Sequence, residues 1–82
     1  MKIFIEEREY EGTGTEIMEQ LRQEHEPDRI PDAEAYIQYL CAKFTRTTGL
    51  ECLLPDNGTE VRARAMILRL AHAGALLLLD ES

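Results

Sequence analysis

Two apolar runs, LECLLP at residues 50–55 and ALLLL at residues 75–79, flank a helical segment from Thr59 to Ala73, and their reading decides the fold. Leu50 to Leu54 has the length and composition of a short strand, and Pro55, Asp56, Asn57 and Gly58 make the turn that ends it. From Thr59 onward the apolar positions Val61, Ala63, Ala65, Met66, Ile67, Leu68, Leu70 and Ala71 repeat with helical spacing, capped by Asn57 or Thr59 and stopped by Gly74. Strand, helix and strand joined by tight turns predict a βαβ crossover, which requires parallel strands and a right-handed connection. Four consecutive leucines, Leu76 to Leu79, fit a strand covered on both faces. Burying them at roughly 1.5–3 kcal/mol each contributes about 6–12 kcal/mol gross, comparable to the net stability of a small domain. That run is therefore expected either as a central strand or as part of a subunit interface.

Upstream, Asp32 is the expected cap of a helix continuing to about Thr47, with Ala33, Ile37, Leu40, Cys41 and Phe44 on one face and Gly49 as the left-handed stop. Tyr36 and Tyr39 flank that stripe. Glu26 to Pro31 carries two prolines and reads as a linker. Before it, a first helix is expected from about Thr15 to Glu24, with Thr13 and Glu16 at capping-box spacing, Thr15 as the rival cap, and Ile17, Met18 and Leu21 as a narrow apolar stripe. Lys2 to Glu6 alternates as a strand, Ile3 and Ile5 on one face and Phe4 on the other. Folding back toward Tyr10 would make a hairpin, but its turn has neither the Gly nor the Asn that two-residue turns favour.

Eighty-two residues support one core, so residues 1–82 are expected as a single domain. Folding alone is marginal at that size, and a dimer would help. The composition, 44% hydrophobic and 30% charged, excludes a disordered or fibrous chain. No apolar stretch reaches the roughly 18 residues of a membrane span, and the N-terminus has no apolar signal segment, so the expected compartment is the cytoplasm. The net charge of -7 is uneven: residues 1–41 carry four basic against eleven acidic side chains, residues 42–82 five of each. Such a field repels phosphate backbones, making nucleic acid an unfavoured partner, and it favours basic ones.

Candidate chemistry is sparse. Cys41 and Cys52 are eleven residues apart, unlike the close pairs of zinc sites, and with His25 and His72 they are the soft ligands available. Both cysteines are expected as reduced core residues, neither metal-bound nor disulfide-bonded, and both histidines as residues suited to helix C-termini. Glu6, Glu7, Glu9 and Glu11 follow strand alternation rather than calcium-loop spacing and suit a solvated edge that discourages aggregation. The Gly12–Thr15 segment matches neither phosphate-binding glycine motif and reads as a helix cap. Arg62, Arg64 and Arg69, with Lys43 and Arg46, form the basic cluster, and these three arginines are the candidate contacts for a partner or an anion.

The expected fold is α+β: a small mixed sheet of three or four strands packed against three helices, in the order β(β)ααβαβ with a C-terminal βαβ unit. The expected function is a noncatalytic protein-interaction or assembly module that self-associates, with no cofactor, metal or catalytic residue assigned. Two other readings use different residues: a winged-helix DNA-binding regulator reading through Arg62, Arg64 and Arg69, and a small enzyme using Cys52 or Cys41 with His72.

Overall fold

The structure, a computed structural model, describes residues 1–81. Its elements run β1 (Lys2–Ile5), β2 (Arg8–Glu11), α1 (Gly14–His25), α2 (Ala33–Thr48), α3 (Thr59–His72) and β3 (Leu77–Asp80). The three strands form one sheet in the order β2-β1-β3, and both pairings are antiparallel. The α+β class and the three helices against a small sheet are as expected, but the sheet is antiparallel rather than mixed.

The signals that bound α1 and α2 act as the sequence predicts. Thr13 caps α1 in a full capping box: its hydroxyl accepts from the Glu16 amide while the Glu16 carboxylate accepts from the Thr13 amide. Asp32 caps α2 by accepting from the Ala35 amide at 2.9 Å, and Gly49 ends it at φ 75°. For α3 the N-cap is Gly58, with no side-chain cap bond, so neither Asn57 nor Thr59 takes the expected role.

The hairpin forms despite its unfavourable turn. Ile5 pairs with Arg8, leaving Glu6 and Glu7 as the two turn residues at φ 50° and φ 67°. Positive φ at both positions is the geometry that matches strand twist, and it normally selects Asn and Gly. Contacts beyond the turn hold it: Ile3 and Tyr10 face each other in the core, Arg8 pairs with Glu24 at 2.6 Å, and the Tyr10 hydroxyl donates to the Glu24 carboxylate.

Residues 50–54, expected as a strand, form none, so the expected C-terminal βαβ unit is absent. The reason lies in what the segment meets: β3 takes the second edge of β1, and residues 50–55 lie against α2 and α3 rather than beside a strand. Side chains take the polar groups there instead. The Cys41 thiol donates to the Cys52 carbonyl, Arg69 to the Leu53 carbonyl and Arg62 to the Pro55 carbonyl, while the Leu50 amide donates to the Thr48 hydroxyl. Leu50 and Leu53 project into solvent, 61% and 71% exposed.

The leucine run is an edge strand, not a central one. Leu76 is buried and Leu78 half-buried against the core, whereas Leu77 and Leu79 are 61% and 49% exposed. Helices α1 and α3 pack against the sheet from one side, and α2 packs against those two helices. Between the layers lie Ile3, Ile17, Met18, Ile37, Met66 and Ile67, all fully buried.

The α1–α3 contact is close because Gly14 has no side chain. A Cβ there would stand 2.9 Å from Arg64 Cγ and 3.1 Å from the Arg64 amide nitrogen. Glu60 locks the same junction: its carboxylate accepts from the Gly14 amide, the Thr15 amide and the Thr15 hydroxyl, each at 2.8 Å. The N-terminus of α1 is thus satisfied by an anion from α3. Burial opposes the charge on Glu60, but these hydrogen bonds, with Arg64 nearby, outweigh it and hold the carboxyl below its usual range.

Candidate interaction surface

The pleat divides the sheet into two faces. Ile3, Tyr10 and Leu78 share the face turned toward the helices, and Lys2, Phe4, Glu9, Glu11 and Leu77 share the other. On that second face Phe4 stands opposite Leu77 on one side and Glu9 on the other. Lys2 pairs with Glu9 at 3.4 Å. An apolar half, Phe4 and Leu77, therefore adjoins a charged half along β2.

The two edges of the sheet are chemically opposite. The β2 edge carries Arg8, Glu9 and Glu11, all exposed, and charged side chains oppose the approach of another strand. The β3 edge reads Leu77-Leu78-Leu79-Asp80 and has charge only at its end. Its register against β1 slips between the Ile3–Leu78 and Lys2–Asp80 pairs, making Leu79 the extra residue of a bulge. Such a bulge limits how far a neighbouring strand can follow the edge.

The sequence-predicted arginines do not gather on one surface. Arg62 pairs with Glu34 at 2.9 Å and donates to the Pro55 carbonyl, and Arg69 donates to the Leu53 carbonyl. These two, seven residues or about two helical turns apart, clamp the 50–55 segment onto α3. Arg64 projects elsewhere, beside Gly14, and donates to the Glu81 carbonyl at 3.3 Å. The strand after α3 pairs with β1 at the opposite end of the chain. Its placement differs from a wing strand paired with a following strand.

Cys41 and Cys52 do come together, although their spacing gave no sign of it. Cys52 Sγ lies 3.7 Å from Met66 Sδ, and burial, with Cys41 as a hydrogen-bonding neighbour, pushes its thiol up to about 11. A catalytic nucleophile needs the opposite shift. His72 is exposed at the end of α3. Among the described residues, no three His, Cys, Asp or Glu side chains converge as a metal site, and no helix is long and apolar enough to cross a membrane.

A shallow groove opens under the hairpin turn. Two adjoining depressions of about 250 and 300 Å³ share Ile5, Glu6, Leu40, Lys43 and Leu70. Glu6 lies at the groove's rim with its carboxylate 3.9 Å from His25 Nε2, and Tyr36 and Tyr39 stack along one wall with centroids 5.9 Å apart. Sequence reading missed this groove because it is assembled from β1, α1, α2 and α3 and leaves no local motif. No protein-family model, curated protein or solved structure matches the chain.

Proposed function

We propose that this chain is a noncatalytic assembly module of the cytoplasm whose copies associate through the β3 edge. The observation that carries the reading is the asymmetry of the two edges: β2 is guarded by exposed charges, while β3 presents exposed Leu77 and Leu79 beside a half-buried Phe4. Antiparallel pairing of β3 with its counterpart in a second copy would extend the three-stranded sheet to six strands. It would bring Leu77 and Leu79 of each copy out of water.

The size and charge of the contact set its strength. A four-residue edge with a bulge buries less than the roughly 1,200 Å² of a standard stable interface, so the association is weak and reversible. Each copy carries -7, and mutual repulsion opposes pairing at low ionic strength. Salt screens that repulsion, so association through β3 strengthens as salt is added.

Sedimentation equilibrium over a wide concentration range, at low and high salt, tests the reading. A monomer–dimer equilibrium favoured by salt and abolished by Leu77→Lys, with the circular dichroism unchanged, is the expected result. A strict monomer at every concentration overturns it, as does a dimer indifferent to Leu77→Lys.

A further inference from the structure

The connection between α2 and α3 holds the two cysteines of the chain against one another. Cys41, on α2, donates its thiol proton to the Cys52 carbonyl oxygen at 2.8 Å. The Cys52 thiol packs 3.7 Å from Met66 Sδ, with Cys41 among the neighbours that favour its protonated form. Both thiols are free and half-buried. The 50–55 segment that carries Cys52 belongs to no helix or strand and is held to the helices by side-chain contacts from Arg62, Arg69 and Cys41.

Folding has therefore done the costly part of disulfide formation, which is bringing two thiols across an open loop. The burial of Cys52 works in the same direction. A Cys52 thiol pushed up to about 11 stays protonated at neutral pH, so no thiolate at Cys52 stabilises the reduced state. Dithiols without that stabilisation form disulfides of low reduction potential, in contrast to oxidising pairs whose reduced form is held as a thiolate.

We propose that Cys41 and Cys52 are a disulfide-forming pair that a small-molecule disulfide, such as oxidised glutathione, closes within one chain, fastening the 50–55 segment covalently to α2. The Cys41 thiol loses its proton to solvent and attacks one sulfur of the oxidant, forming a mixed disulfide and releasing the first glutathione as a thiolate that takes up a proton. Cys52 then loses its proton and attacks Cys41 Sγ, forming the Cys41–Cys52 bond and expelling the second glutathione, which is protonated in turn. Two protein thiols are oxidised, one oxidant disulfide is reduced to two thiols, and protons balance. The order follows from the setting: the Cys52 sulfur is packed against Met66 Sδ at 3.7 Å, so the first attack is assigned to Cys41.

The test is equilibration of the intact chain in glutathione redox buffers, approached from both the reduced and the oxidised side, followed by acid quench, mass measurement and peptide mapping. Folded protein should lose about 2 Da, yield a linked Cys41–Cys52 peptide pair, and reach half-oxidation at a ratio of squared reduced to oxidised glutathione at least about tenfold higher than the urea-unfolded chain does. Stable glutathione adducts at both cysteines would overturn the proposal. So would disulfides between chains, a folded ratio equal to or below the unfolded one, or folded thiols that stay inert while the unfolded chain oxidises.

Discussion

Replacing the two residues of the β1–β2 turn, Glu6→Asn together with Glu7→Gly, is expected to stabilise the protein. Glu6 and Glu7 sit at φ 50° and φ 67°, where an L side chain costs about 1–2 kcal/mol per residue. Glycine removes that cost at position 7 but loses about 0.5–1 kcal/mol through the greater entropy of the unfolded chain. Asn at position 6 tolerates the left-handed region without that entropy term and recovers about 0.5–1 kcal/mol. The forfeited Glu6–His25 contact spans 3.9 Å between exposed side chains and subtracts at most about 0.5 kcal/mol. The net gain centres on about 1 kcal/mol, which for a domain of this size raises Tm by about 4–8 °C. Thermal and urea unfolding followed by circular dichroism measure it. Glu7→Val should move the other way, lowering stability by about 1–3 kcal/mol, because a β-branched side chain is a genuine outlier at positive φ. If Asn-Gly is neutral or destabilising while Val is tolerated, the turn is not left-handed at both positions and the hairpin reasoning fails.

Other outcomes follow from the α1–α3 junction. Glu60→Gln should cost about 1–2 kcal/mol at pH 7 in urea unfolding, because a charged acceptor for the Gly14 and Thr15 donors is lost. The folded carboxyl of Glu60 lies below its unfolded value, so its stabilisation is complete above the unfolded pKa and disappears as pH falls through the folded one. The stability curve of Glu60→Gln should accordingly be flatter than the parent's below about pH 4.3, and an equally steep curve would remove Glu60 as the cause. Gly14→Ala, which in an open helix would gain about 1 kcal/mol, should instead cost about 1–3 kcal/mol, since the new methyl meets Arg64 Cγ at 2.9 Å and Ala63 Cβ at 3.2 Å. A raised urea midpoint for Gly14→Ala would mean that α1 and α3 are not in close contact.

Helix positions were legible in the chain because their determinants are local. The Thr13–Glu16 capping box, the Asp32 cap, and Gly49 and Gly74 at φ 75° and φ 80° each act within a few residues of where they stand. Ile17, Met18 and Leu21 on α1, and Ile37 and Phe44 on α2, face the core as their spacing predicts. The pairing of strands was not legible in the same way. LECLL has the composition of a strand, yet strand pairing depends on which distant segment it meets, and here it meets side chains of α2 and α3 rather than a sheet edge. Conversely, the Glu6-Glu7 turn reads as a poor hairpin and forms one because Ile3, Tyr10 and Glu24 secure it from outside.

The surface divides along the same line. Sequence alone determined that the chain is acidic and that its negative excess lies in the N-terminal half, and it left open what cover four adjacent leucines receive. Tertiary structure alone decided that this cover is one-sided, burying Leu76 and leaving Leu77 and Leu79 exposed along the sheet edge. It also separated Arg64 from Arg62 and Arg69, set Glu60 into the N-terminus of α1, and brought Cys41 to Cys52. Caps and periodicity are read within a turn of helix, where covalent geometry limits the choices. Edges, ion pairs and thiol contacts depend on which distant segments meet, and that is settled only when the whole core closes.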